Sequence, residues 1–199
     1  GLSETILVIN PEISTPFVNY TKRDIHFIFG DGCVATIVQK NSSSKNRFKI
    51  LDRKLLTKFS NNIRSDFSYL NRTAIDQKTK DEVLFTQNGR SVFKEVCPMV
   101  SKFILDQLES LSLKPEDISK YWLHQANIKM VKLIASKITG KQDVDESIAT
   151  LSIKQFGNLA SAGSMFAFNL YNDLEIGEKW IICSFGAGYS VASILVEKC

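Results

Sequence analysis

The chain has 199 residues, 44% hydrophobic and 23% charged, with a formal net charge of +4, which is the composition of a globular protein with room for one domain or slightly more and excludes wholesale disorder. No run reaches the ~18 apolar residues of a membrane span, and the first ten residues lack the basic and apolar regions of a signal peptide. Four dispersed cysteines and two histidines argue against a structural zinc site and for free thiols in a cytoplasmic protein.

Residues 6–9 form a short apolar run stopped by Asn10-Pro11, the pattern of a buried strand. Residues 26–29 form another, broken by Gly30-Asp31-Gly32, and residues 34–38 resume the β-rich pattern, so two strands joined through a Gly-Asp-Gly bend are expected. A third strand is expected at residues 48–56. Basic residues between Lys40 and Arg72 are mixed with Asn and Ser rather than with regularly spaced aromatics, so that stretch is read as solvated surface and no nucleic-acid partner is expected. Residues 60–79 show no period and are expected to be irregular. From Ser91 the period changes: Val92, Val96, Val100, Ile104 and Leu108 recur at helical spacing, with Pro98 predicting a late start or a kink. A strand over 117–123 should end at His124, and a helix over 128–138 should stop before Gly140. A third helix is expected from 161 to 174. Residues 180–184, a Gly186-Ala187-Gly188 bend and residues 191–196 read as strand, turn and strand. Strands alternating with helices after residue 80 predict an α/β fold with a partly parallel sheet.

Three segments have chemical potential. His124-Gln125-Ala126-Asn127 places a histidine where a strand ends and a helix begins, the region where ligands gather in open α/β sheets. A histidine there can donate to a developing oxyanion or act as acid and base, and it is equally a satisfied structural residue. Gly157-Asn158, within a run of small residues, supplies either a helix cap or an amide donor to a carbonyl that becomes negative. Phe185-Gly186-Ala187-Gly188 presents backbone amides in a tight bend, which by itself is only a turn.

In this order and spacing the segments Phe29-Gly30-Asp31-Gly32, Gly89-x-x-Val92-Phe93, His124-Gln125-Ala126-Asn127, Gly157-Asn158 and Phe185-Gly186-Ala187-Gly188 resemble β-ketoacyl-acyl-carrier-protein synthase III of the thiolase superfamily over nearly the whole chain. The resemblance implies a thiolase-like α/β fold, layered α-β-α-β-α in the full family and here mainly one mixed five-stranded sheet with helices. Residues 1–40 would be the last two strands of the N-terminal half and residues 41–199 the C-terminal half. It implies catalytic roles for His124 and Asn158, which would bind the malonyl thioester carbonyl and stabilise the enolate formed as carbon dioxide leaves. Ala187, with Gly186, would form the backbone oxyanion site. Asn127, Lys129, Ala126, Gly89 and Arg90 would contact the pantetheine arm of coenzyme A. The substrates would be acyl-coenzyme A and malonyl-acyl carrier protein, with no cofactor and no metal.

The family's nucleophilic cysteine, activated at a helix N-terminus, precedes the part of the family that corresponds to Gly1. Cys33, Cys97, Cys183 and Cys199 do not fall at its position and read as small or buried residues. The leading expectation is therefore the C-terminal part of an acyltransferase of acyl-chain synthesis, with an N-terminal half or partner chain supplying the cysteine. The alternative is a non-catalytic subunit that binds a related synthase or acyl carrier protein. Retention of both His124 and Asn158 favours the enzyme. Apolar residues around most of the helix near residue 165 and unpaired strand edges also predict a dimer or higher oligomer, or a retained N-terminal fragment.

Overall fold

The first apolar run does become a strand. The computed structural model describes residues 3–23, 25–40, 44, 46–65, 83–173 and 175–199. Strand β1 (Thr5–Glu12) pairs antiparallel with β2 (Gly32–Gln39), Thr5 opposite Gln39 and Glu12 opposite Gly32. The run is not buried as expected: Ile6, Leu7, Val8 and Ile9 are 41% to 58% exposed, and the packing on the hairpin centres instead on Val34 of β2, against Leu159 and Ala162. Residues 26–29 are also not a strand. Ile25 donates to the Lys22 carbonyl and Ile28 to that of Ile25, giving successive turns, and only Phe29 makes a bridge. Asp31 redirects the chain from there. Its carboxylate accepts from the backbone of Ser14 (2.7 Å) and Thr15 (2.9 Å) and from the Thr15 hydroxyl (2.6 Å), so the bend is tied to the end of β1. The Thr15 hydroxyl, followed by the backbone donors, holds the Asp31 carboxyl below the usual carboxylate range.

The remaining elements are β3 (Phe48–Ser60), β4 (Ile63–Arg64), β5 (Thr86–Gln87), α1 (Gly89–Ser110), β6 (Lys120–Leu123), α2 (Ile128–Thr139), α3 (Ile153–Phe156), α4 (Gly163–Leu170), β7 (Lys179–Gly186) and β8 (Gly188–Lys198). Among the described residues the main sheet has four strands, in the order β3-β8-β7-β6, rather than five; β6 and β7 are parallel and the other pairs antiparallel. Of the stretch expected to be irregular, residues 63 and 64 form β4, and residues 66–79 lie outside the described residues.

Side-chain alternation along the parallel pair splits the core into two layers. Tyr121, Leu123, Ile181 and Cys183 face α1 and α2, meeting Val96, Val100, Ile104, Val131 and Ile134. Trp122, Trp180 and Ile182 face the other way, against Ala167 and Phe168 of α4 and Phe48 of β3. All four residues of β6 are buried because both its faces are covered. Helix α1 starts at Gly89, with the Asn88 side chain accepting from Ser91 at 3.1 Å, so Pro98 lies well inside it and does not delay its start. Helix α2 ends as expected at Gly140, whose φ of 70° is the left-handed conformation glycine adopts without strain. Helix α4 is shorter than expected. Lys120, 6% exposed, donates to the Tyr171 carbonyl at 3.4 Å and pairs with Asp173 at 3.0 Å, drawing the chain off the helix after Leu170.

The segment leading into β2 meets the loop after α3 through a backbone bridge. Phe29 bridges Asn158 in parallel fashion: the Asn158 amide donates to the Ile28 carbonyl (2.8 Å) and the Gly30 amide to the Asn158 carbonyl (3.1 Å). A Cβ at Gly30 would lie 2.0 Å from the Phe156 carbonyl oxygen, so no side chain fits there while the bridge is intact. Gly30→Ala is therefore expected to lower the stability of the intact protein by roughly 1–3 kcal/mol, the scale of overpacking at a close contact. Denaturant unfolding checks this, and an unchanged midpoint would contradict the contact.

Candidate active site

Strand β6 delivers His124. The His124 amide donates to the Cys183 carbonyl at 2.8 Å, prolonging the parallel β6–β7 ladder by one residue before the chain turns into α2. The imidazole is 8% exposed and lies edge-on to the Phe185 ring, with centroids 5.0 Å apart. Its Nδ1 is buried without a hydrogen-bond partner among the described residues. Burial pushes the imidazole pKa down from 6.5 to about 4, with the Ala160 backbone opposing in part. At neutral pH His124 is thus an uncharged ring with one N–H to donate.

Gln125 fixes this turn from behind. It is 1% exposed; its Nε2 donates to the carbonyls of Leu123 (2.8 Å) and Thr150 (3.0 Å), and its Oε1 accepts from the Ile153 amide (3.2 Å). In the sequence the one sign of this role is that Gln125 stands directly after the strand-end histidine. Asn127 then caps α2, its Oδ1 accepting from the Met130 amide at 2.9 Å.

The second functional side chain arrives on the loop after α3. Gly157, at φ 71°, turns the chain so that Asn158 meets Phe29. Asn158 is 7% exposed, and its Oδ1 accepts from the Ala160 amide at 3.0 Å. With the oxygen committed to its own loop, the side-chain NH2 group is the donor left to a ligand. Leu159 anchors the loop by packing with Val34 and Ala162.

A cavity of about 520 Å³ opens between these loops. His124, Asn158, Ala126, Asn127, Gly89, Gly186 and Ala187 all lie on its wall, among apolar neighbours that include Phe29, Val96, Met130 and Phe185. Arg90 and Lys129 do not; both are exposed, each adjacent in sequence to a lining residue, Gly89 and Met130. None of the four cysteines lines the cavity. Burial raises the Cys97 thiol to about 11 and the Cys183 thiol to about 12, the opposite of an activated nucleophile. Among the described residues no cluster of three or more His, Cys, Asp or Glu could hold a metal ion.

Two parts of one family match the chain: "3-Oxoacyl-[acyl-carrier-protein (ACP)] synthase III" over residues 1–58 and "3-Oxoacyl-[acyl-carrier-protein (ACP)] synthase III C terminal" over residues 108–198. The chain is 42% identical over its full length to a β-ketodecanoyl-[acyl-carrier-protein] synthase of Pseudomonas aeruginosa, of which it covers 57%. It is 27% identical to a β-ketoacyl-[acyl-carrier-protein] synthase III of Helicobacter pylori, covering 59% of that protein. Among solved structures, the 3-oxoacyl-[acyl-carrier-protein] synthase III of Aquifex aeolicus superposes with a TM-score of 0.79 at 21% identity, over 98% of this chain and 58% of that one. The chain thus spans somewhat less than two thirds of the relatives it matches. The layered mixed sheet, with its strand-end histidine and glycine loops, is a thiolase-like fold. The chain belongs to the β-ketoacyl-acyl-carrier-protein synthase III family.

The buried imidazole generates a pH dependence. Its folded pKa lies below the unfolded value of 6.5, so between about pH 6.5 and 4 the unfolded state binds the extra proton, and stability falls as pH falls through that window. Titration of the His124 ring by NMR in the intact protein should show a midpoint well below 6.5. A midpoint at or above 6.5 would contradict the burial argument.

Proposed function

We propose that this chain is the malonyl-handling part of a synthase III-type acyltransferase that condenses acyl-coenzyme A with malonyl-acyl carrier protein. Residues 1–40 are the last two strands of the N-terminal thiolase-like half and residues 41–199 the C-terminal half. A nucleophilic cysteine from that N-terminal half or from a partner chain carries the acyl group. The observation that carries this reading is the convergence of an uncharged His124 and an oxygen-committed Asn158 amide on one apolar cavity.

The reaction follows from those two donors. The His124 N–H and the Asn158 NH2 donate to the malonyl thioester carbonyl. As the bond to the carboxylate breaks, its electron pair passes into the carbonyl as an enolate, and carbon dioxide leaves. A charged imidazolium is not required, and the dry wall strengthens both hydrogen bonds as negative charge develops. The enolate carbon attacks the acyl-cysteine carbonyl, the Ala187 amide holds the resulting oxyanion beside Gly186, and collapse expels the cysteine thiolate and leaves the β-ketoacyl thioester. Ala126, Asn127 and Gly89 line the approach of the pantetheine arm; Lys129 and Arg90 act at its rim. No metal or other cofactor enters these steps. The ten-carbon product in the name of the 42% identical relative makes a medium-chain acyl thioester the starter to test first. The free thiols fit a cytoplasmic setting, and no described helix is long and apolar enough to cross a membrane.

In the enzyme completed by its cysteine-bearing half, His124→Ala or Asn158→Ala should cut malonyl decarboxylation by roughly 10² or more with little change in thermal stability. Normal decarboxylation by both folded variants would overturn the assignment. Incubated alone with acyl-coenzyme A, the 199-residue chain should acquire no stoichiometric acyl adduct on any of its four cysteines by intact-mass measurement.

The same reading predicts assembly. Ile37 is 66% exposed, Leu55 78% and Phe59 83%, on β2 and β3, each of which pairs on one side only among the described residues. Sedimentation of the isolated chain at low micromolar concentration should show association, and a compact 22.4 kDa monomer that binds no hydrophobic dye would contradict it.

A further inference from the structure

The loop that presents Asn158 is held by the backbone bridge to Phe29, by the Ala160 amide closing onto the Asn158 Oδ1 and by the packing of Leu159. A further hold comes from the far end of β1. Glu12, its last residue, accepts with one carboxylate oxygen from both the Ser161 amide (3.0 Å) and the Ser161 hydroxyl. Asn10, two residues earlier, donates to that hydroxyl at 3.4 Å. Ser161 and Ala160 both lie on the cavity wall with Asn158. Ala160 sits at φ 45°, a conformation an L-residue holds only when its surroundings fix it. The Glu12 contact falls on the very next residue.

We infer that Glu12 is a positioning residue for the Asn158 side chain, acting through Ser161. The inference rests on the proposed malonyl-binding role of Asn158. Ser161 follows the strained Ala160, and Ala160 supplies the N–H that orients the Asn158 amide. Fixing Ser161 therefore fixes the direction in which the amide donates. Charge favours the arrangement, because a carboxylate receives the Ser161 N–H and hydroxyl in the turn that leads into α4. Without Glu12 the turn can relax about Ala160, and a small displacement of a donor aimed at a developing charge costs rate rather than binding.

The test separates this role from general support of the hairpin. In the completed enzyme, malonyl decarboxylation and acylation of the nucleophilic cysteine are measured for Glu12→Ala, Glu12→Gln, Asn158→Ala and Asp31→Ala. Asp31→Ala removes a different anchor of the same hairpin, the one to Ser14 and Thr15. Glu12→Ala is expected to lower kcat for decarboxylation about 10-fold with KM within about twofold. Glu12→Gln, which keeps the acceptor oxygen, should recover most of that loss, and cysteine acylation should be unchanged in both. Asp31→Ala should decarboxylate at the normal rate. A full rate in Glu12→Ala beside a large loss in Asn158→Ala overturns the inference and leaves the malonyl assignment standing. An equal loss in Glu12→Ala and Asp31→Ala also overturns it, since any weakening of the hairpin would then suffice. A full rate in both Glu12→Ala and Asn158→Ala overturns the assignment and the inference with it.

Discussion

The parallel bridge between Phe29 and Asn158 is the constraint on which the site depends. Two backbone hydrogen bonds span it, and they require the two chains to run within van der Waals contact. Glycine on both sides makes this feasible: Gly30 faces the Phe156 carbonyl, and Gly157 lies against the Ile28 carbonyl and the Gly30 amide. The same bridge places Phe29 and Asn158 on one cavity wall. A backbone contact between residues far apart in sequence thus sets where a side-chain donor points.

The other donor is held by different means. His124 rides on the end of a fully buried parallel pair, where the ladder itself fixes the backbone. Burial there has an energetic consequence as well as a geometric one. An imidazole removed from water stays neutral, so the cavity wall carries no positive charge at this position. The two arrangements complement each other: a rigid, neutral donor from the core, and a loop donor trimmed by hydrogen bonds.

Much of this is legible in the sequence, and unevenly so. The helical spacing of Val92 to Leu108, the Gly140 stop and the strand ending at His124 are local signals and all appear, although that strand begins at Lys120 rather than at 117, where Pro115–Asp117 form a 3-10 turn. The apolar run at residues 26–29 misleads because a four-residue run carries no period of its own; Ile25 is buried and Phe27 is 70% exposed on a series of turns. Helix α4 ends early for a reason no local pattern contains, namely a buried lysine some fifty residues away. His124, Asn158 and Ala187 stand out through their motifs and share the cavity, whereas Arg90 and Lys129, carried along by position, are exposed and do not line it. The hydrogen bonds of Gln125 and Glu12 leave no local signal, because their partners, Thr150, Ile153 and Ser161, are distant in the chain.

The two large hydrophobic layers draw their members from residue 48 onward, while the loop bearing Asn158 belongs to a third, much smaller cluster made by Val34, Leu159 and Ala162. Cooperative units of unequal size open with unequal free energies. The segment 157–162 therefore has far less apolar packing holding it than β6 and β7 have. The asparagine half of the site is in this sense the lightly packed half, held in place by that small cluster and its hydrogen bonds rather than by the body of the sheet.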